Sequence, residues 1–160
     1  MSLTMIKSTL RKLSFLVLSL GLLFTALPAY ATTATGTQNP DLTVSISFEP
    51  TCVKVGDTIV REYSVTNNTS KTQPVTLEVR ATLNGQLYSI YPYYPREHWR
   101  VQLDPGETWQ NGPTMFVIYD SVYLYPKGTY AITLSATNKK GTSSATAQFE
   151  IYETTCSLGP

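Results

Sequence analysis

The chain has 160 residues, 42% of them hydrophobic and 14% charged, with twelve Lys and Arg against eleven Asp and Glu. That is enough chain to bury a core, and too balanced a charge for a nucleic-acid partner, whose polyanionic backbone calls for a basic face. One histidine and two cysteines make a metal centre improbable on residue supply, and no cofactor is indicated.

At the N-terminus, Lys7, Arg11 and Lys12 precede an apolar run from Leu13 to Leu27, then Pro28 and the small-residue pattern Ala29-Tyr30-Ala31. This order of basic, apolar and small residues reads as a secretory signal peptide over 1–31, cleaved after Ala31. A membrane anchor is the competing reading, but the run is shorter than the roughly 20 residues a bilayer requires and ends in a cleavage-like motif. No cysteine follows the run directly, which disfavours a lipid anchor. The expected mature protein is secreted or periplasmic and not inserted in the membrane. Its nine Lys and Arg against eleven Asp and Glu give a net charge near −2.

Residues 32–41, TTATGTQNPD, are small, polar and aperiodic, and read as a flexible leader. An ordered domain is expected over 42–156, with 157–160 as a tail. From Leu42 the chain alternates: Leu42, Val44, Ile46 and Phe48 on one side, Thr43, Ser45, Ser47 and Glu49 on the other, as in a half-buried strand. The stretch from Thr58 to Thr66 is a less clean strand, because Arg61 shares a face with Ile59, Tyr63 and Val65; Arg61 is expected near an edge or reaching out along its stem. Alternation returns at Val75 to Leu83, at Tyr130 to Thr137 and at Ala145 to Tyr152. The run Thr114 to Tyr125 is almost continuously apolar and aromatic, as in a strand covered on both sides or one whose outer face meets a partner.

Turn signals separate these runs at Val55-Gly56-Asp57, Asn67-Asn68-Thr69-Ser70, Asn84-Gly85, Asp104-Pro105-Gly106, Pro126-Lys127-Gly128 and Asn138-Lys139-Lys140-Gly141. No window carries a helical stripe. The simplest architecture that buries so many one-sided strands is an all-β, antiparallel sandwich of about seven strands, immunoglobulin-like in character. Cys52 follows the first strand and Cys156 the last. If those strands run side by side and parallel, the two thiols meet, and a structural disulfide is the expected outcome in an oxidising compartment. A free thiol pair, an intermolecular bond and a metal site are the alternatives, the last weakened by the solitary His98.

Val55-Gly56-Asp57 ahead of a strand, Asn67 at its end, the run Val101-Gln102-Leu103-Asp104-Pro105-Gly106-Glu107-Thr108, and Gly128-Thr129-Tyr130 resemble bacterial immunoglobulin-like modules. The resemblance is to the CARDB-type adhesion module and the BsuPI-type proteinase inhibitor domain, and covers roughly 42–153. It places Tyr130 where such sandwiches often set a hydrogen-bonded tyrosine corner. It implies adhesion or protease inhibition, although one fold of this kind hosts many roles. The chain departs from the inhibitor family in being exported, and no inhibitory loop can be matched residue by residue.

Nothing in the sequence supplies a positioned nucleophile, and the chain reads as non-enzymatic. Glu62, Glu78 and Glu150 alternate outward and read as solvent-facing. His98, between Glu97 and Trp99 in a loop-like region, could serve as a ligand or proton carrier, or simply be exposed or half-buried. The candidate binding segment is Tyr88 to Arg100, YSIYPYYPREHWR, with Tyr88, Tyr91, Tyr93, Tyr94, His98 and Trp99 as its contact residues. Prolines argue against a regular strand there, and rings on a stiff backbone form contact surfaces at low entropic cost. The alternative is that the rings fold back over one open end of the sandwich. Tyr119, Tyr123 and Tyr125 are candidates to join the patch. Three functions remain open: a noncatalytic module that binds a protein partner or assembles with itself at the cell envelope, a protease inhibitor acting through an exposed loop, and a carbohydrate-binding module using the same rings. Asn67 and Asn68 each begin a glycosylation sequon but read as turn residues.

Overall fold

The computed structural model describes residues 32–88, 97–119 and 125–158. The expected signal peptide, Tyr91, Tyr93, Tyr94 and Tyr123 lie outside the described residues. The described chain is all-β: β1 (Thr32–Gly36), β2 (Leu42–Glu49), β3 (Cys52–Val53), β4 (Thr58–Asn67), β5 (Gln73–Leu83), β6 (Gln86–Leu87), β7 (Glu97–Leu103), β8 (Thr108–Val117), β9 (Gly128–Asn138) and β10 (Gly141–Ile151). One sheet has the order β1-β2-β4-β8 and the other β3-β10-β9-β5, with β6 and β7 both pairing along the free side of β5. Seven of these strands are long. Six of them overlap strands read from the sequence; the seventh, β7, begins inside the segment 88–100 that was read as a loop, and β1, β3 and β6 are short additions.

The period of two decides which residues meet. Leu42, Val44, Ile46 and Phe48 of β2 face Leu134, Ala136, Ala147 and Phe149 of the opposite sheet in one shared core, while the intervening Thr and Ser stay partly exposed. Each fully buried Leu, Ile or Phe contributes roughly 1.5–3 kcal/mol through removal from water.

Three local features depart from the sequence reading. The segment 32–36 is not a loose leader: it forms β1, antiparallel to β2 from Thr32↔Phe48 to Gly36↔Val44. Its polar alternation carries no apolar signal, since it pairs at an edge through backbone alone. At Gly36 a Cβ would lie 1.9 Å from the Ser144 carbonyl oxygen, so only glycine lets β1 approach β10 this closely. Second, the parallel partner of the last strand is the short β3. Pro50, which has no N–H for the ladder, ends β2; the chain then crosses to the other sheet and pairs Cys52↔Glu150 and Val53↔Ile151. The expected neighbourhood of the cysteines follows, and Cys52 is bonded to Cys156 with Cα atoms 5.9 Å apart. Third, Arg61 is neither at an edge nor reaching out. β4 is an inner strand, and Arg61 is 7% exposed with its guanidinium 5.1 Å from the Tyr63 ring. A register shift between Arg61 and Tyr63 marks a bulge, matched on β8 by Gly112, whose φ of 123° and close approach to the Arg61 carbonyl exclude a side chain.

The two ends of the sandwich are built from different chemistry. At one end, Asn39 Nδ2 donates to Asn138 Oδ1 (2.8 Å), Asn138 Nδ2 to Gln73 Oε1 (2.7 Å), Gln73 Nε2 to Asn67 Oδ1 (2.7 Å), and Asn67 Nδ2 to the Leu103 carbonyl (2.9 Å). This chain of amides ties five segments from both sheets together. Asn67 is completely buried, and its Nδ2 also reaches the Lys71 and Asp104 carbonyls, so its sequon is a structural turn. At the other end, Tyr130 stacks on Phe149 (4.9 Å) and donates its hydroxyl to the Pro126 carbonyl at 2.6 Å. That is the expected tyrosine corner. Phe48, Phe116, Tyr125 and Tyr88 extend the aromatic packing around this pair, and the disulfide lies beside it.

Candidate functional site

The contact residues expected from the sequence do not all share one surface. Tyr88 follows β6, donates its N–H to the Ala81 carbonyl, and sets its ring edge-on to Tyr130 at 5.9 Å. Burial raises its hydroxyl pKa. It caps the core, as the alternative reading allowed. Trp99 lies on β7 opposite Leu77 and packs against Trp109 of β8 at 6.1 Å, joining the two sheets along their open side. His98 is on β7 and not in a loop; it is exposed and sits opposite Glu78 in register. Tyr91, Tyr93 and Tyr94 belong to the undescribed stretch between Tyr88 and Glu97.

Tyr130 is structural as well. Burial, with Tyr88 and Tyr125 beside it, pushes its hydroxyl far above the ordinary phenol range, so it remains a donor to Pro126 at any physiological pH. Tyr125 stacks on Phe116 at 6.5 Å. Glu150, read as solvent-facing, is 9% exposed because the C-terminal residues fold over it: its carboxylate accepts from Ser157 N (2.7 Å), Ser157 Oγ (2.5 Å) and Leu158 N (3.2 Å). Burial pushes its pKa up, but these hydrogen bonds outweigh burial, and the carboxyl titrates below its ordinary value.

What the structure adds is the distribution of exposed apolar side chains. Val55, Leu87, Met115, Val117, Tyr119 and Leu158 are the exposed large hydrophobic residues among those described, with Met115 at 70% and Tyr119 at 62%. All six lie toward the aromatic end. Met115 and Val117 point outward from the last turns of β8, opposite Val60 and Thr58. Val55 comes next to them because Gly56 N–H and Asp57 C=O pair with Ile118. Leu87 lies opposite Thr82 near the end of β5. In the described part of the run read over Thr114 to Tyr125, Phe116 and Ile118 turn inward while Met115, Val117 and Tyr119 are exposed. Among the described strands β8 pairs with β4 alone, so its other backbone edge is free of them.

No family model matches the chain, and no curated protein matches it. Among solved structures it is similar to the CARDB domain of the PF1109 protein of Pyrococcus furiosus, crystallised with di-metal ions, at 23% identity and a TM-score of 0.43 over 69% of this chain and 85% of that one. A solution structure of the same domain gives 26% identity and a TM-score of 0.41, over 69% and 92%. A Pseudomonas fluorescens alkylpurine DNA glycosylase, AlkC, gives 12% identity and a TM-score of 0.44 over 66% of this chain but only 29% of the glycosylase.

Proposed function

We propose that the protein is a noncatalytic, exported immunoglobulin-like module that binds a protein partner at the cell envelope through its aromatic end. The observation that carries this reading is the gathering of the exposed large apolar residues at that end, with Met115, Val117 and Tyr119 flanking a free strand edge. Exposed apolar side chains gathered at one end of a fold support an interaction site there. Tyr93 and Tyr94 belong to the same contact surface in this proposal, whereas Tyr88 packs on Tyr130 at that end and Trp99 lies farther along the sandwich against Trp109. Export is supported by the basic, apolar and small-residue order of the N-terminus and by the Cys52–Cys156 bond, which persists in oxidising compartments.

The test is a photo-crosslinking amino acid placed at position 119 and, separately, at position 45 on the polar outer face of β2, in intact cells. A defined protein adduct from position 119 and none from position 45 is expected. Adducts of equal yield from both, or none from position 119, would overturn the reading.

A further inference from the structure

On the outer face of the second sheet, toward the amide end, Pro74, Val75, Thr76, Arg100, Thr137, Asn138 and Lys139 line an open groove of about 320 Å³. It is remote from the apolar surface just described. The register builds it: Arg100 of β7, Thr76 of β5 and Thr137 of β9 stand side by side across three strands, and Lys139 follows at the turn after β9.

The charges single this groove out. Lys127 pairs with Glu153 at 2.7 Å, Lys140 with Asp41 at 2.9 Å and Arg80 with Glu78 at 3.3 Å, while Lys54 and Arg61 each lie 5.1 Å from a tyrosine ring. Arg100, Lys139 and Lys71 pair with no carboxylate among the described side chains, and two of these three, Arg100 and Lys139, line the same groove. The nearest acidic position along β5, Glu78, is held by Arg80. In a mature chain of net negative charge, two cations lining one groove with Thr76 and Thr137 make a local anion site. Beyond Thr137 the hydroxyls continue in rows, with Thr137–Thr142, Ser135–Ser144 and Thr133–Thr146 oxygens each 2.8 Å apart.

We propose that this groove binds a carboxylate-bearing sugar unit of an acidic polysaccharide. The planar guanidinium of Arg100 matches a carboxylate through paired N–H donors, and Lys139 adds a second, mobile charge. Thr76 and Thr137 exchange hydrogen bonds with sugar hydroxyls, and the exposed Pro74 ring provides an apolar plate for the sugar face. A flat face with repeating hydroxyls suits a repeating polymer better than an acidic peptide, which would pair along a strand edge.

The test uses the oxidised mature protein, with polygalacturonate, its fully methyl-esterified neutral form and polyglutamate as probes in a titration near 0.15 M salt, where the Debye length is about 8 Å. Wild-type protein is expected to bind polygalacturonate and not the ester or polyglutamate. The exposed pair R100Q/K139Q is expected to weaken binding by about tenfold or more, as loss of charge-assisted hydrogen bonds does. A control pair, K71Q/K127Q, stays within about twofold, as screened surface charges do. R100K/K139R keeps the charge but loses the paired donors at position 100, and is expected to bind between wild type and R100Q/K139Q, which separates site chemistry from misfolding. No wild-type binding, equal binding of polyglutamate, or equal losses in both glutamine pairs would overturn the proposal.

Discussion

The two ends of this sandwich solve the same problem in opposite ways. Each must close a core left open where strands stop, and each must satisfy backbone groups that no ladder reaches. The amide end does so with side chains that hydrogen-bond backbone and one another: Asn39, Asn138, Gln73 and Asn67 form one connected network, closed to solvent at Asn67. The aromatic end does so with rings, one tyrosine corner and a covalent bond, and then leaves apolar surface outside that closure. Polar closure fixes geometry and leaves no large apolar side chain exposed among the described residues of that end. Aromatic closure leaves Met115, Val117 and Tyr119 facing outward at the end of β8, which is why the binding proposal falls on that end.

The comparison can be broken first at the disulfide. Cys52 and Cys156 are 104 residues apart in sequence. Replacing both by Ser is expected to cost about 4 kcal/mol of unfolding free energy in urea, because the bond removes chain entropy from the unfolded state. Asn67→Ala attacks the other end and is expected to cost about 3 kcal/mol, since it strands the Leu103, Lys71 and Asp104 carbonyls and the Gln73 amide together. Tyr130→Phe removes a single hydrogen bond and keeps the ring stack, and about 1 kcal/mol is expected in the same assay. If Tyr130→Phe proved as costly as Asn67→Ala, the contrast between a networked end and a packed end would fail.

Glu150 sharpens the comparison through pH. Its folded pKa is lowered, so its stabilising contribution is fully present above the ordinary carboxylate value near 4.5 and is lost as pH falls through the folded pKa. Glu150→Gln is expected to destabilise by about 1 kcal/mol at pH 7 and to converge with wild type in acid. A constant difference across that range would mean that the tail is held by packing alone.

Much of this fold was legible in the sequence, and the failures have physical causes. Strands with one dry face announced themselves through alternation, as at Leu42 to Phe48 and Tyr130 to Ala136. β1 did not, because an edge strand held by backbone pairing needs no apolar residue. Asn67, Asn138 and Gln73 read as turn or surface residues, since a side chain's long-range hydrogen-bond partners leave no local trace. Arg61 was misplaced because burial of an arginine depends on the Tyr63 ring and a bulge built on another strand. At the candidate site, aromatic content could not sort Tyr88 and Trp99, which pack on the core, from Tyr119, which faces out. Met115 and Val55 were missed as contact residues, because apolar residues in sequence default to core.

The most direct test of the central claim is to measure, for Y93S/Y94S/Y119S, both the unfolding free energy and the binding of the protein cross-linked from position 119. The account predicts stability within about 0.5 kcal/mol of wild type, as for surface substitutions, together with loss of binding. Unchanged binding, or a loss of stability above about 2 kcal/mol as for core substitutions, would contradict it and assign the aromatic end to the fold alone.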